Sequence, residues 1–168
     1  LLGVIGATMS FDSRSGSPKP EKVGTTEEKA KQNVVSKEYI VGDQVKLGSS
    51  IVTVNKIEFS QGGQFLKPAE GNEWVILNVT IENTSSSQQY VTTLGQMFIR
   101  DGEGNSYQVA VTDKAIEHPG FGLDGSIIAK SKRTGWVGFE INKGATGLQF
   151  QYNGSIWGGG TVVVNLER

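Results

Sequence analysis

The sequence predicts an all-β fold, an antiparallel β-sandwich of about seven to nine strands, and three observations lead there. Short runs of alternating apolar and polar residues recur along residues 39–168, and turn signals separate them. The 23 glycines are scattered between those runs rather than periodic, which excludes a collagen-like repeat. No stretch carries the sustained 3.6-residue apolar period of a long amphipathic helix, so sheets have only each other to pack against.

The organising stretch is 70–84. A turn signal, Gly71-Asn72, opens it and the polar cluster Asn83-Thr84-Ser85-Ser86-Ser87 closes it. Val75, Leu77, Val79 and Ile81 share one face. The opposite face begins apolar at Trp74 and Ile76 and turns polar at Asn78, Thr80 and Glu82. Burying the four inner side chains is worth at most ~6–12 kcal/mol. Fixing a dozen backbone residues costs ~12–24 kcal/mol. This strand therefore needs a second sheet to face.

The other strands follow in order. Val41–Gly48 alternates and reaches Ile51–Phe59 through Gly48-Ser49-Ser50, a tight hairpin connection. Tyr90–Thr93 is a short edge piece. Gln96–Arg100 and Ser106–Ala110 flank Asp101-Gly102-Glu103-Gly104-Asn105, a hairpin turn with Asp and Gly where positive φ is wanted. Residues 111–125 form the longest irregular loop. After it come Ser126–Ile128, a basic bend at Lys130-Ser131-Lys132-Arg133, and a strand on which Val137, Phe139 and Ile141 share a face. Gly147–Tyr152 and Thr161–Leu166 finish the chain, joined through 153–160.

Upstream, residues 1–11 are apolar from the first position and resemble the end of a signal or anchor segment, with Ile5-Gly6-Ala7 a passable cleavage site. Such a run is too short to span a bilayer, which takes ~20 residues. Residues 12–38 are rich in Ser, Gly, Pro and charge and read as a flexible linker. The expected organisation is thus 1–11 signal or anchor remnant, 12–38 linker and 39–168 sandwich domain.

Composition excludes several chemistries. There is no cysteine, so disulfides, zinc-thiolate sites, iron–sulfur clusters and thiol nucleophiles are absent together. Net charge is −1, with six basic against five acidic residues in 1–38 and ten against twelve in 39–168. Neither part builds the positive field of a nucleic-acid binder.

Several stretches, taken in order, resemble one bacterial family. They are Val41–Gly48, Pro68–Asn83 and Phe98–Tyr107, then Gly135–Ile141 and Gly147–Tyr152, and together they cover about 39–168. The family is uncharacterised, exported or membrane-anchored, and often mislabelled as a telomeric repeat-binding factor. The resemblance implies an immunoglobulin-like sandwich related to a secreted mycobacterial antigen. It brings no catalytic residues. The chain departs from the pattern at Ala129-Lys130, where a Pro-Gly turn is expected.

Individual residues offer weak candidates for a site. His118, the only histidine, sits beside Pro119 in a glycine-rich loop and reads as an exposed loop residue rather than part of a triad. Asp101–Asn105 spaces oxygens as a calcium loop does but lacks the distal bidentate Glu, and a hairpin turn explains each residue. Glu58, Glu82 and Glu140 can be offered as glycosidase-like carboxylates, yet they read more simply as solvent-side strand residues. Lys130, Lys132 and Arg133 make the one basic cluster. Trp74 is expected at a sandwich edge, whereas Phe121 and Trp157, flanked by glycines, are expected to be exposed. Asn78-Val79-Thr80, Asn83-Thr84-Ser85 and Asn153-Gly154-Ser155 fit the glycosylation pattern.

The expectation is a non-catalytic extracytoplasmic binding module, with no metal and no cofactor. Its weak binding candidates are Phe121, His118, Trp157, Lys132 and Arg133, in or beside the loops 60–72, 111–125 and 153–160. Its partner would be a protein, a cell-wall polymer or a small ligand, with no nucleic acid and with membrane contact only through the N-terminal anchor. The alternatives are a cell-wall hydrolase using carboxylates and a DNA-binding protein, the latter disfavoured by charge.

Overall fold

A computed structural model describes residues 39–118, 120, 122–154 and 160–167. The signal, anchor and linker expectations for 1–38 lie outside the described residues. The strands are β1 (Tyr39–Ile40), β2 (Gln44–Leu47), β3 (Ser50–Ser60), β4 (Asn72–Asn83), β5 (Gln89–Val91) and β6 (Met97–Arg100). They continue with β7 (Ser106–Ala110), β8 (Gly125–Ile127), β9 (Lys132–Asn142), β10 (Gln149–Asn153) and β11 (Thr161–Asn165).

Nine strands follow the hydrogen-bonded order β1-β11-β10-β6-β7-β9-β4-β3-β2, and β5 with β8 makes a separate ribbon. The nine fold into two facing layers because β7 changes partner along its length. Its first residues pair with β6 (Tyr107 with Ile99), and Val109 and Ala110 pair with Phe139 and Gly138 of β9. One layer is therefore β9-β4-β3-β2, and the other is β1-β11-β10-β6.

The predicted central strand is central. Strand β4 pairs along nearly its whole length with β3 on one side and β9 on the other. Val75, Leu77, Val79 and Ile81 are fully buried in the core between the layers. Val137, Phe139 and Ile141 lie beside that row, opposite Leu77, Val75 and Glu73. From the facing layer come Phe150, Tyr152, Val162 and Val164. Phe139 and Phe150 meet edge to face across the interior, with ring centroids 6.4 Å apart.

The register of β3 explains an irregularity in its sequence. Val52 and Val54 pair with Ile81 and Val79, but the next residue to pack on the core is Ile57, an odd step away, with Phe59 following on the same parity at the exposed rim. A bulge between Val54 and Lys56 absorbs the extra residue and restores the apolar parity.

Three features were not foreseen. Strand β1 pairs parallel to β11 and closes that edge. The loop 111–125 contains a five-residue helix, Asp113–Glu117, and buries Thr112, Asp113 and Leu123. It is structured because β7 leaves β9 after two residue pairs, and a bare strand edge must be covered. Lastly, Thr93–Gln96 is an irregular turn rather than a helix proper, since Leu94 has ψ 119° and Gly95 has φ 87°.

Candidate functional site

The outward side of the β3-β4-β9 layer is built from the second parity of each strand. Across the three strands the rows read Ser60–Trp74–Glu140, Glu58–Ile76–Gly138 and Lys56–Asn78–Trp136. Trp74 and Ile76 are buried and pack with Trp136 into a second, small apolar cluster. Further along, Asn55 donates to Asn78 at 2.8 Å and to Thr80 at 2.9 Å, and the Thr80 and Thr134 hydroxyls meet at 2.7 Å. The face is thus dry at one end and wet at the other, as the composition of β4 predicts. Trp74, expected at an edge, instead lies mid-sheet under cover.

Two loops supply that cover. Residues 61–71 and the 112–118 segment meet where Asp113 abuts Gly63, so closely that an added Cβ would sit 1.8 Å from Oδ2. Thr112 presses on Gly138, where a Cβ would lie 2.6 Å from its Cγ2. Only glycine at 138 lets the loop approach the sheet.

His118 closes the arrangement. Its ring stacks on Trp136 with centroids 3.8 Å apart and planes 13° off parallel. Nε2 lies 3.4 Å from Oε2 of Glu58, within ion-pair distance, though its alignment is too poor for a hydrogen bond. With 25 % of its side chain accessible it is half-buried, not an exposed loop residue. The stack holds it against the sheet.

Two carboxylates of this face, Glu58 and Glu140, are engaged. Glu58 bonds Lys56 Nζ at 2.7 Å, and that bond, with smaller help from His118, lowers its pKa against the opposing effect of burial. Glu140 accepts from Asn72 Nδ2 at 2.8 Å, from the Ala69 amide at 2.9 Å and from Trp74 Nε1 at 3.4 Å, and its pKa is lowered too. Glu140 therefore ties the 68–72 turn to the sheet.

A family model described as a domain of unknown function matches residues 39–163. The chain belongs to the DUF4352 family. Among solved structures, the DUF4352 domain resembles the yjhA protein of Bacillus subtilis (TM-score 0.64, 21% identity, covering 77% of this chain and 99% of that one). It also resembles a putative lipoprotein, ycdA, of the same organism (TM-score 0.60, 14% identity, covering 77% of this chain and 39% of that one). The secreted protein MPT63 of Mycobacterium tuberculosis shares the fold (TM-score 0.51, 13% identity, covering 77% of this chain and 95% of that one). No curated protein matches the chain.

Within this DUF4352 domain the remaining candidates separate. Arg133 reaches the loop beside it, donating from Nε to the Gly122 carbonyl at 3.3 Å and from Nη1 to Ser126 at 3.5 Å. Lys132, its neighbour on β9, points the other way and is exposed. Lys130 donates to the Thr84 carbonyl. The basic bend is therefore three separate side chains, not one patch. Phe121 and Trp157 lie outside the described residues. The three candidate loops lie at different places: 61–71 and 111–118 meet at one end of β3, while Gly160 lies against Leu47 at the other.

Asp101 uses both oxygens within its own turn. Oδ1 accepts from the Glu103 amide at 3.0 Å and the Asn105 amide at 2.8 Å. Oδ2 accepts from Asn105 Nδ2 at 2.8 Å and the Tyr107 hydroxyl at 2.7 Å. These bonds, led by the Asn105 side chain, pull its pKa down to about 2. The hairpin's own donors account for this carboxylate without an ion.

Sequence reasoning missed Trp136 and Asn83. Gly138, two residues from Trp136 on the same face, was the available sign that something lies over that strand. Asn83 is fully buried, and its side chain bonds Ser85, Ser87, Ile127 and Ile128, so in the folded domain it is not an accessible glycosylation site.

Proposed function

We propose that this DUF4352 domain is a non-catalytic, extracytoplasmic binding module. One observation carries the non-catalytic half of the reading: two of the three candidate carboxylates, Glu58 and Glu140, are held in structural bonds and pushed toward the ionised form. A glycosidase pair needs one carboxyl with a raised pKa to act as general acid. Glu58 and Glu140 are both shifted downward. Solvent-facing apolar side chains favour binding: Phe65 and Leu66 on the 61–71 loop, with Val111 and Ile116 on the segment that meets it.

The extracytoplasmic half draws on the apolar start of the chain and on structural neighbours described as a putative lipoprotein and a secreted protein. No helix of the described residues is long and apolar enough to cross a membrane. Membrane contact would come through an N-terminal anchor. Partners of this kind are a protein, a cell-wall polymer or a small ligand, and the net charge of −1 argues against nucleic acid.

The discriminating experiment is a turnover assay over a panel of glycan and peptide substrates, run with wild type and with Glu58→Gln and Glu140→Gln. The reading expects no turnover by any of the three. Turnover by wild type that either substitution abolishes would establish the hydrolase alternative.

A further inference from the structure

At the end of β3 opposite the 61–71 loop, a cavity of about 310 Å³ opens between the β2–β3 turn, β5 and the end of β10. Its floor holds Tyr152, the last inward-facing residue of β10. The ring belongs to the core and the residue is 2 % exposed. Its hydroxyl bonds to no described residue, and burial alone raises its pKa. At the cavity floor, a hydroxyl with no described partner is available to donate to, and accept from, a group that enters.

The wall beside it is a small polar network. Ser50 Oγ donates to Gln89 Oε1 at 3.0 Å, and Gln89 Nε2 donates to Ser49 Oγ at 2.5 Å. At the rim Tyr90 is 76 % exposed. The described lining carries no charged side chain.

These features select a ligand class. Hydroxyls and a carboxamide both donate and accept, so their best match is a molecule whose groups do the same. An anion or cation would enter this cavity without a counter-charge, at a desolvation cost nothing repays. An exposed tyrosine face accommodates the C–H side of a ring, while the polar groups fix its orientation. The volume lies at the lower end of the range for small-molecule sites, about 300–1,000 Å³, which suits one ring rather than a chain. We propose that this cavity is a binding site for a single uncharged sugar unit, held by Tyr152, Gln89 and the Ser49–Ser50 turn and stacked on Tyr90. The proposal rests on the binding-module reading and gives that module a ligand class at one end of the sandwich.

The test is saturation-transfer NMR on the full 168-residue chain with N-acetylglucosamine and glucose as probes and glucuronate as the charged comparison, followed by titration. Wild type should transfer saturation to the neutral sugars and bind glucuronate several-fold more weakly. Tyr152→Phe removes the hydroxyl and keeps the ring in the core, and should weaken binding roughly 5–10-fold, the worth of one hydrogen bond. Tyr90→Ala, on the surface, should weaken it comparably and covers the case in which the first variant folds poorly. No transfer to either neutral sugar across the millimolar range would overturn the proposal. So would affinity unchanged in both variants, or glucuronate binding as tightly as glucose. None of these results touches the turnover or localisation tests, so the site can fail while the binding-module reading stands.

Discussion

Replacing Asn83 tests how the organising strand is terminated. Its amide donates to the carbonyls of Ser87 at 2.7 Å, Ile127 at 3.0 Å and Ile128 at 3.2 Å, and its Oδ1 accepts from the Ser85 amide at 2.9 Å and hydroxyl at 2.7 Å. One side chain thus ties the end of β4 to the 84–88 turn and to the end of β8. In Asn83→Ala the buried Ile127 carbonyl loses this donor, at about 1–3 kcal/mol, while the partly buried groups recover some bonding to water. The sum is roughly 2–4 kcal/mol, a large share of the ~5–15 kcal/mol that holds an ordinary domain together. Asn83→Asp is the sharper variant, because it keeps shape and acceptor but turns a carboxylate toward three carbonyls. At neutral pH it should be at least as destabilising as alanine, and the difference should shrink in acid as the new carboxyl protonates. Urea unfolding followed by fluorescence of buried Trp74 and partly buried Trp136 reads both. An Asn83→Asp variant within ~0.5 kcal/mol of wild type, the ordinary range for a surface change, would refute this role.

Other predictions follow from single residues. Lys130 occupies φ 57°, where a side chain costs about 1–2 kcal/mol. Lys130→Gly loses an exposed contact to Thr84 yet should raise the melting temperature by a few degrees; a lower one would show that the contact dominates. Gly138→Ala should destabilise by ~1–3 kcal/mol through its clash with Thr112, measured by the same urea titration, and a neutral result would mean that the loop cover is loose. For Asp101 the folded pKa lies below the ordinary 3.8, at about 2, so its contribution is fully present above pH 4 and disappears as pH falls toward 2. Glu58 and Glu140 are shifted in the same direction and add to that acid sensitivity. The stability gap between wild type and Asp101→Asn should therefore close between pH 4 and 2; a gap independent of pH would contradict the assignment.

The layers and the central strand were legible because alternation is a local property. Val75, Leu77, Val79 and Ile81 announce a buried face whatever lies opposite, and the drift from Trp74 to Glu82 announces a half-covered one. Partner choice was less legible. Nothing local says that β7 passes from β6 to β9, or that β1 pairs parallel to β11. The site was least legible. His118 looked like an exposed loop residue because its neighbours in sequence are glycine and proline, whereas its environment is made by Trp136 and Glu58, far away along the chain. Glu140 looked like a free carboxylate because its donors come from 68–74. The Ala129-Lys130 departure from the family pattern did mark a real conformational feature, since Lys130 holds the positive φ that glycine would take freely.

The most direct test of the central claim, a binding module that works outside the cytoplasm, is surface labelling of the native full-length protein in intact spheroplasts with a membrane-impermeant amine reagent. Lys46 and Lys132 are exposed on the domain and serve as reporters. The account predicts that both are labelled before lysis. Labelling that appears only after the membrane is broken would contradict it.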